Sequence, residues 1–215
     1  MRYIKRLKKP DNLEKKEKEW TDKFIVSGKD RPDSSKYAHR KIRDILLAMS
    51  HSKCFYCEQK LKGRRKEVDH YIEVVERKDL AFNWENLYLT CDHCNGKIPN
   101  KSISAIETLN PCGDLDEVIQ KHLGFEDEII LAKNNSTKGN KTIQKYRLSA
   151  ERLDLLRAKE LQKFSNVLIH ILKQQIIEGR ESMTEAEINL LKRFAQNDHS
   201  FSLMFKTLLE KYDIK

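Results

Sequence analysis

At 215 residues the chain has room for one full domain with an extension, or for two small ones. Apolar residues at 39% and charged residues at 35% describe a modest core under a charged surface, and set the chain apart from a disordered tail. A net charge of +9 and an isoelectric point near 9.2 suit a polyanionic partner, nucleic acid being the natural one. No apolar run approaches the roughly 20 residues that span a bilayer, so a cytoplasmic protein with no membrane role is expected.

In chain order, residues 1–33 are rich in Lys and Glu, carry Trp20, Phe24 and Ile25, and end in the breaker-rich Gly28-Lys29-Asp30-Arg31-Pro32-Asp33. This predicts a short helix followed by a loop. From Ser35 the apolar positions Ile42, Ile45, Leu46 and Met49 recur at helical spacing, predicting one helix to about Ser50 that delivers the chain to Cys54. Between the cysteine pairs, Glu67 to Val74 approximates strand alternation, with Val68 and Ile72 on one face and Asp69 and Tyr71 on the other. His70 then shares the Val68 side unless the strand ends or bulges there.

Further on, Asn110-Pro111-Cys112-Gly113 reads as a turn and Leu123 to Leu131 as one or two strands. Asn134 to Gly139 reads as a loop. A long helix is predicted from near Ser149 to Gly179, striped by Leu153, Leu156, Leu161, Phe164, Leu168 and Ile171. Thr184-x-x-Glu187 is a capping-box pattern opening a helix to about Gln196, and Phe201 to Tyr212 supplies a last one. The division expected is a helical segment over 1–52, a metal-bound module over 53–110 and a mainly helical region over 111–215. The fold class is α+β, mostly helical.

Five cysteines is an odd number for a disulfide framework, and four of them form two C-x-x-C pairs, Cys54/Cys57 and Cys91/Cys94. Two such knuckles make a tetrahedral four-sulfur zinc site, and closed coordination of that kind is structural because it leaves no open position. Cys112 has no paired cysteine and is expected to be an ordinary side chain.

Phosphodiester hydrolysis needs an activated water and a Lewis acid on the phosphate. His70 can take a proton from water near neutral pH, and Asp69 offers a hard oxygen to Mg2+ or a similar ion. At these residues the chain resembles the HNH endonucleases. Their ββα-metal motif places an Asp-His pair on a hairpin, an Asn in its loop and a metal ligand on the following helix. Asp69-His70, Asn86 in Trp84-Glu85-Asn86-Leu87 and Asn95 in Cys91-Asp92-His93-Cys94-Asn95-Gly96-Lys97 match that order.

The resemblance implies a metal-dependent endonuclease with His70 as base, Asp69 and Asn95 on a catalytic Mg2+ or Mn2+, and Asn86 orienting the loop. Asn95 stands where the motif usually has His, and its amide carbonyl favours an oxygen-liganded ion over a catalytic zinc. His93 competes as the second ligand. Lys97 would meet a phosphate, and Arg64-Arg65-Lys66 would track a backbone.

The opening Met1-Arg2-Tyr3-Ile4-Lys5, Cys54-Phe55-Tyr56-Cys57-Glu58, Gly139-x-x-Thr142-Ile143 and Leu148-x-x-x-Arg152-Leu153 resemble the Septu and retron-associated HNH nucleases, the PtuB group. That likeness implies anti-phage defence and a complex with a PtuA-type ATPase; the nucleic-acid target is expected to be DNA rather than RNA. Two rival readings are a zinc module that binds nucleic acid without cutting it and a protein-interaction module.

Overall fold

The structure is a computed structural model that describes residues 1–214, and it is α+β. The first ten residues form neither helix nor strand, then α1 (Asp11–Val26) follows, capped by Ser27 and succeeded by Gly28 with a φ of 66°. The single helix expected from Ser35 is instead two, α2 (Ser34–Tyr37) and α3 (Arg40–Met49). The break has a local cause. The His39 ring nitrogen accepts the Lys41 N–H at 3.2 Å and so caps a new helix start.

Strand β1 (Lys66–His70) pairs antiparallel with β2 (Leu87–Cys91), Asp69 opposite Tyr88 and His70 opposite Leu87. The strand ends at His70, which is the alternative that frees this side chain from the Val68 register. A one-turn helix α4 (Asp92–Asn95) follows at once, its N-cap being Cys91. This β-β-α unit is small, and the sheet spans only two strands. Its stability therefore rests on what surrounds it.

Helix α5 (Asp116–His122) leads into a second hairpin, β3 (Leu123–Glu126) and β4 (Ile129–Ala132). The stretch expected as a loop through Gly139 instead opens α6 (Thr137–Lys145), because Ser136 caps it by accepting the Gly139 N–H at 3.0 Å. Gly139 is required there: a Cβ would collide with the His122 carbonyl where α6 lies on the end of α5.

The long helix α7 (Glu151–Ile177), α8 (Glu185–Lys192) and α9 (Ser202–Lys211) complete the chain, and both hydrogen bonds of the Thr184/Glu187 capping box are formed. The principal core draws on residues from Met1 to Leu203, including the four cysteines, Phe55, Trp84, Leu89 and Leu153. A second cluster joins Phe164 and Ile171 of α7 to Leu191, Phe201, Met204, Phe205, Leu208 and Leu209. Helix α7 thus contributes its first turns to one core and its middle to the other. No helix among the described residues is long and apolar enough to cross a membrane.

Candidate active site and metal centre

The knuckle Cys54–Cys57 lies against β2, where the Phe55 N–H donates to the Leu89 carbonyl at 2.9 Å. That bond brings the first pair to Cys91 at the end of β2 and Cys94 in α4. All four sulfurs are buried and lie within 4.8 Å of one another. Cys57 Sγ and Cys91 Sγ stand 3.8 Å apart, close to the edge of about 3.8 Å that a tetrahedron with 2.3 Å Zn–S bonds requires, and far beyond a disulfide. The donor set therefore fits zinc.

Next to this centre, Asp69 and His70 are the last two residues of β1, and both line one cavity. Asp69 is buried, and its Oδ2 accepts from the Tyr56 hydroxyl at 3.0 Å and from Lys97 Nζ at 2.6 Å. Tyr56 stacks on Tyr146 and Tyr88, so the carboxylate is held from inside the core. Oδ1 is the oxygen left for a cation.

His70 is fixed differently. Its Nε2 lies 2.8 Å from the Ala81 carbonyl, which can only accept, so Nε2 carries the proton and Nδ1 has the free lone pair. Tyr37 packs on the other side of the imidazole, with ring centroids 4.6 Å apart. Burial pulls the His70 pKa below its ordinary value, the Ala81 bond and Asp69 oppose this, and Lys97 adds to it. The ring is therefore neutral near pH 7.

Asn86 is buried in the loop between the strands and bonds both backbone groups of Ile72: its Oδ1 accepts from Ile72 N–H at 2.7 Å, and its Nδ2 donates to Ile72 O at 2.9 Å. The same Nδ2 reaches Leu80 O at 3.2 Å. Leu80 precedes Ala81, so one amide ties down the turn after His70 and the segment whose carbonyl holds the ring. Asn95, at the end of α4, is exposed. It lines an open cavity of about 680 Å³ together with Asp69, His70, Glu73, Val74 and the segment Asp30–Pro32, Ser34 and Tyr37.

Other expected residues lie elsewhere. Lys97 is not directed to open space but buried against Asp69, and it also donates to His70 O at 2.5 Å and Tyr71 O at 3.4 Å. His93 turns away, its Nε2 donating to the Arg147 carbonyl at 2.9 Å. Arg64, Arg65 and Lys66 are exposed at the opposite end of β1, roughly 13 Å from His70 at 3.3 Å per residue, with Arg65 paired to Glu67. Arg64 lines a separate groove with Arg152 and Lys159 of α7. Cys112 is partly buried, and burial pushes its thiol up to about 11.

Three contributors were not singled out from sequence. Tyr56 sits inside the first knuckle, a position that signals only a turn. Tyr37 and Glu73 carry no motif at all. Glu73 Oε1 accepts the Asn100 N–H at 2.9 Å and faces the buried Lys145 ammonium at 3.9 Å.

A zinc-stapled β-β-α unit carrying Asp-His on its first strand defines an HNH module, and residues 54–101 match the family of HNH endonucleases. The match covers the module and not the rest of the chain. The chain is similar to the Septu protein PtuB of Bacillus thuringiensis, 33% identical over 116 residues, which is 53% of this chain and 43% of that protein. It is also similar to the Septu protein PtuB of Bacillus mycoides (strain KBAB4), 29% identical over 179 residues, 68% of this chain and 58% of that one. The chain thus matches about half the length of these curated relatives.

Proposed function

We propose that the chain is a metal-dependent endonuclease that hydrolyses nucleic-acid phosphodiester bonds, DNA ahead of RNA, with a structural zinc at the four cysteines. The observation that carries this reading is the 2.8 Å contact of His70 Nε2 with the Ala81 carbonyl, which assigns the tautomer of the ring. The Ala81 carbonyl holds the proton on Nε2, and Asn86 holds the segment that supplies that carbonyl, so Nδ1 is presented as an acceptor. A merely structural histidine, or a zinc module that only binds, has no use for this arrangement.

In the proposed reaction Nδ1 accepts a proton from water as its oxygen attacks phosphorus, and the P–O bond to the leaving strand breaks. Asp69 Oδ1 and the Asn95 carbonyl would hold Mg2+ or Mn2+, which when bound polarises the phosphate and stabilises the leaving oxygen. Asn86 is then a positioning residue. For Lys97 we propose a change of role from the sequence-based expectation, from phosphate contact to a fixed counter-charge that orients Asp69.

The test is single-turnover cleavage of duplex DNA, single-stranded DNA and RNA by zinc-loaded protein, across Mg2+, Mn2+ and no added ion. Wild type should cut at least one of them with metal. His70→Ala should lose about 10²–10⁴-fold in rate with binding retained. Full activity in His70→Ala would overturn the reading.

In biological terms we place the chain in Septu anti-phage defence, beside an ATPase of the PtuA type. The surface we assign to that partner is the outer face of α7, where Ile169, Leu172 and Ile176 are exposed at helical spacing. Co-expression followed by size exclusion should give a joint peak, and Leu172→Glu, which sets a charge in the middle of this face, should abolish it. A chain that always elutes alone beside a folded ATPase would contradict the assignment.

A further inference from the structure

Any phosphate that reaches His70 must enter a cavity walled by three carboxylates, Asp30, Asp69 and Glu73. Anion binding there needs a cation with donors to spare. The two buried lysines near the site have none. A lysine ammonium has three N–H donors, and those of Lys97 go to Asp69 Oδ2, His70 O and Tyr71 O. Those of Lys145 go to Ile98 O, Asn100 Oδ1 and Ile103 O, at 3.0, 2.5 and 2.7 Å. Neither can turn to a phosphate without leaving a buried carbonyl or carboxylate unpaired.

Arg31 is the exception. With the His70 ring neutral, it is the cationic side chain that lines this cavity, it is exposed, and it makes no hydrogen bond or ion pair among the described residues. Its five N–H donors are free in the planar fork that suits two oxygens of one phosphate. The loop that carries it has a fixed course. Gly28 follows α1, Lys78 Nζ donates to the Lys29 carbonyl at 3.0 Å, and Asp33 caps α2 by accepting Ser35 N–H at 2.9 Å.

Helix α1 is itself mounted on the catalytic loop. Trp20 and Phe24 pack edge-on against Phe82 at 5.8 and 6.1 Å, one residue from the carbonyl that holds His70. Arg31 and the imidazole are therefore registered to each other through one loop, although Arg31 lies outside the stretch matched to the HNH family.

We propose that Arg31, supplied by the N-terminal segment, is a substrate-binding residue that clamps a backbone phosphate of the nucleic acid in the His70 cavity. The inference rests on the nuclease reading and deepens it. Its test is fluorescence anisotropy with a labelled DNA duplex and a labelled single strand, without divalent ions, between about 50 and 200 mM salt. Each phosphate contact contributes a slope of about −0.9 in log K against log salt on duplex and about −0.7 on single strands.

Arg31→Gln should make that slope shallower by about one contact on at least one of the two probes. Arg31→Lys should retain the slope at reduced affinity, since it keeps the charge and loses the fork. Lys173→Gln, an exposed charge on α7, should leave the slope unchanged, which separates a contact from general charge loss. A slope in Arg31→Gln equal to wild type on both probes overturns the assignment, as does absence of binding by wild type. The assay needs no hydrolysis, so a chain that binds with the predicted slopes yet cuts nothing removes the nuclease reading and leaves Arg31 in place.

Discussion

Around the cysteines the buried residues include Asp69, Asn86, Thr90, Tyr56 and Tyr88, whereas the cluster between α7 and α9 is built from Phe164, Ile171, Leu191, Phe205, Leu208 and Leu209. The first region buries polar groups and a two-stranded sheet too small to stand alone, so its geometry rests on paired hydrogen bonds and on a cysteine cluster that fits a metal. The second depends on apolar area and gives that area no chemistry to do. The proposed chemistry has to keep polar atoms inside, and a metal held by the four cysteines would stabilise that arrangement.

The sharpest way to break the comparison is to remove the metal. Cys91→Ser, or exhaustive chelation, should cost the module most of the apparent zinc-binding free energy, about 10–16 kcal/mol in small zinc domains. Hydrogen exchange should then show amides of residues 54–101 losing protection while those of α7 to α9 retain it, and elemental analysis should show zinc lost. A folded module holding less than half a zinc per chain would refute the structural role.

Phe205→Ala tests the other half. It should destabilise the chain by about 3–5 kcal/mol, as large-to-small changes in an apolar core do, with the zinc content unchanged. Loss of zinc in this variant would mean that the two regions fold as one. The coupling through Glu58 makes this a fair contest, because that buried carboxylate accepts from Lys53 at 3.2 Å beside the knuckle and from Ser202 Oγ at 2.7 Å in α9.

Asn86→Ala should cost about 1–3 kcal/mol for the buried backbone groups it orphans. Its effect on cleavage should be larger than its effect on melting, since Ala81 no longer holds the His70 ring. Equal wild-type cleavage at saturating metal would reduce Asn86 to a turn residue. The smallest effect belongs to Thr184→Ala, which removes the capping-box acceptor of the Glu187 N–H and should cost about 1 kcal/mol with neither zinc nor cleavage altered. Differential scanning calorimetry resolves both.

The amino-acid sequence determined the zinc knuckles, the Asp-His pair, the α7 stripe and the capping box, because each is a spacing within a few residues and local chemistry suffices to read it. Its motif order also nominated Asn86 and Asn95, which lie in the segment between the strands and at the end of α4. The break at His39 and the start of α6 at Ser136 escaped it, since a single side-chain cap outweighed the hydrophobic period in one case and a run of loop-forming residues in the other.

Only the tertiary structure decided where Lys97 points, which carbonyl fixes the His70 tautomer, and that Tyr56 and the segment carrying Arg31 and Tyr37 come to the site. These are long-range choices. Lys97 and Asp69 are 28 residues apart, and whether an ammonium meets a carboxylate or a phosphate depends on which partner the fold brings within about 3 Å, a quantity no local pattern carries.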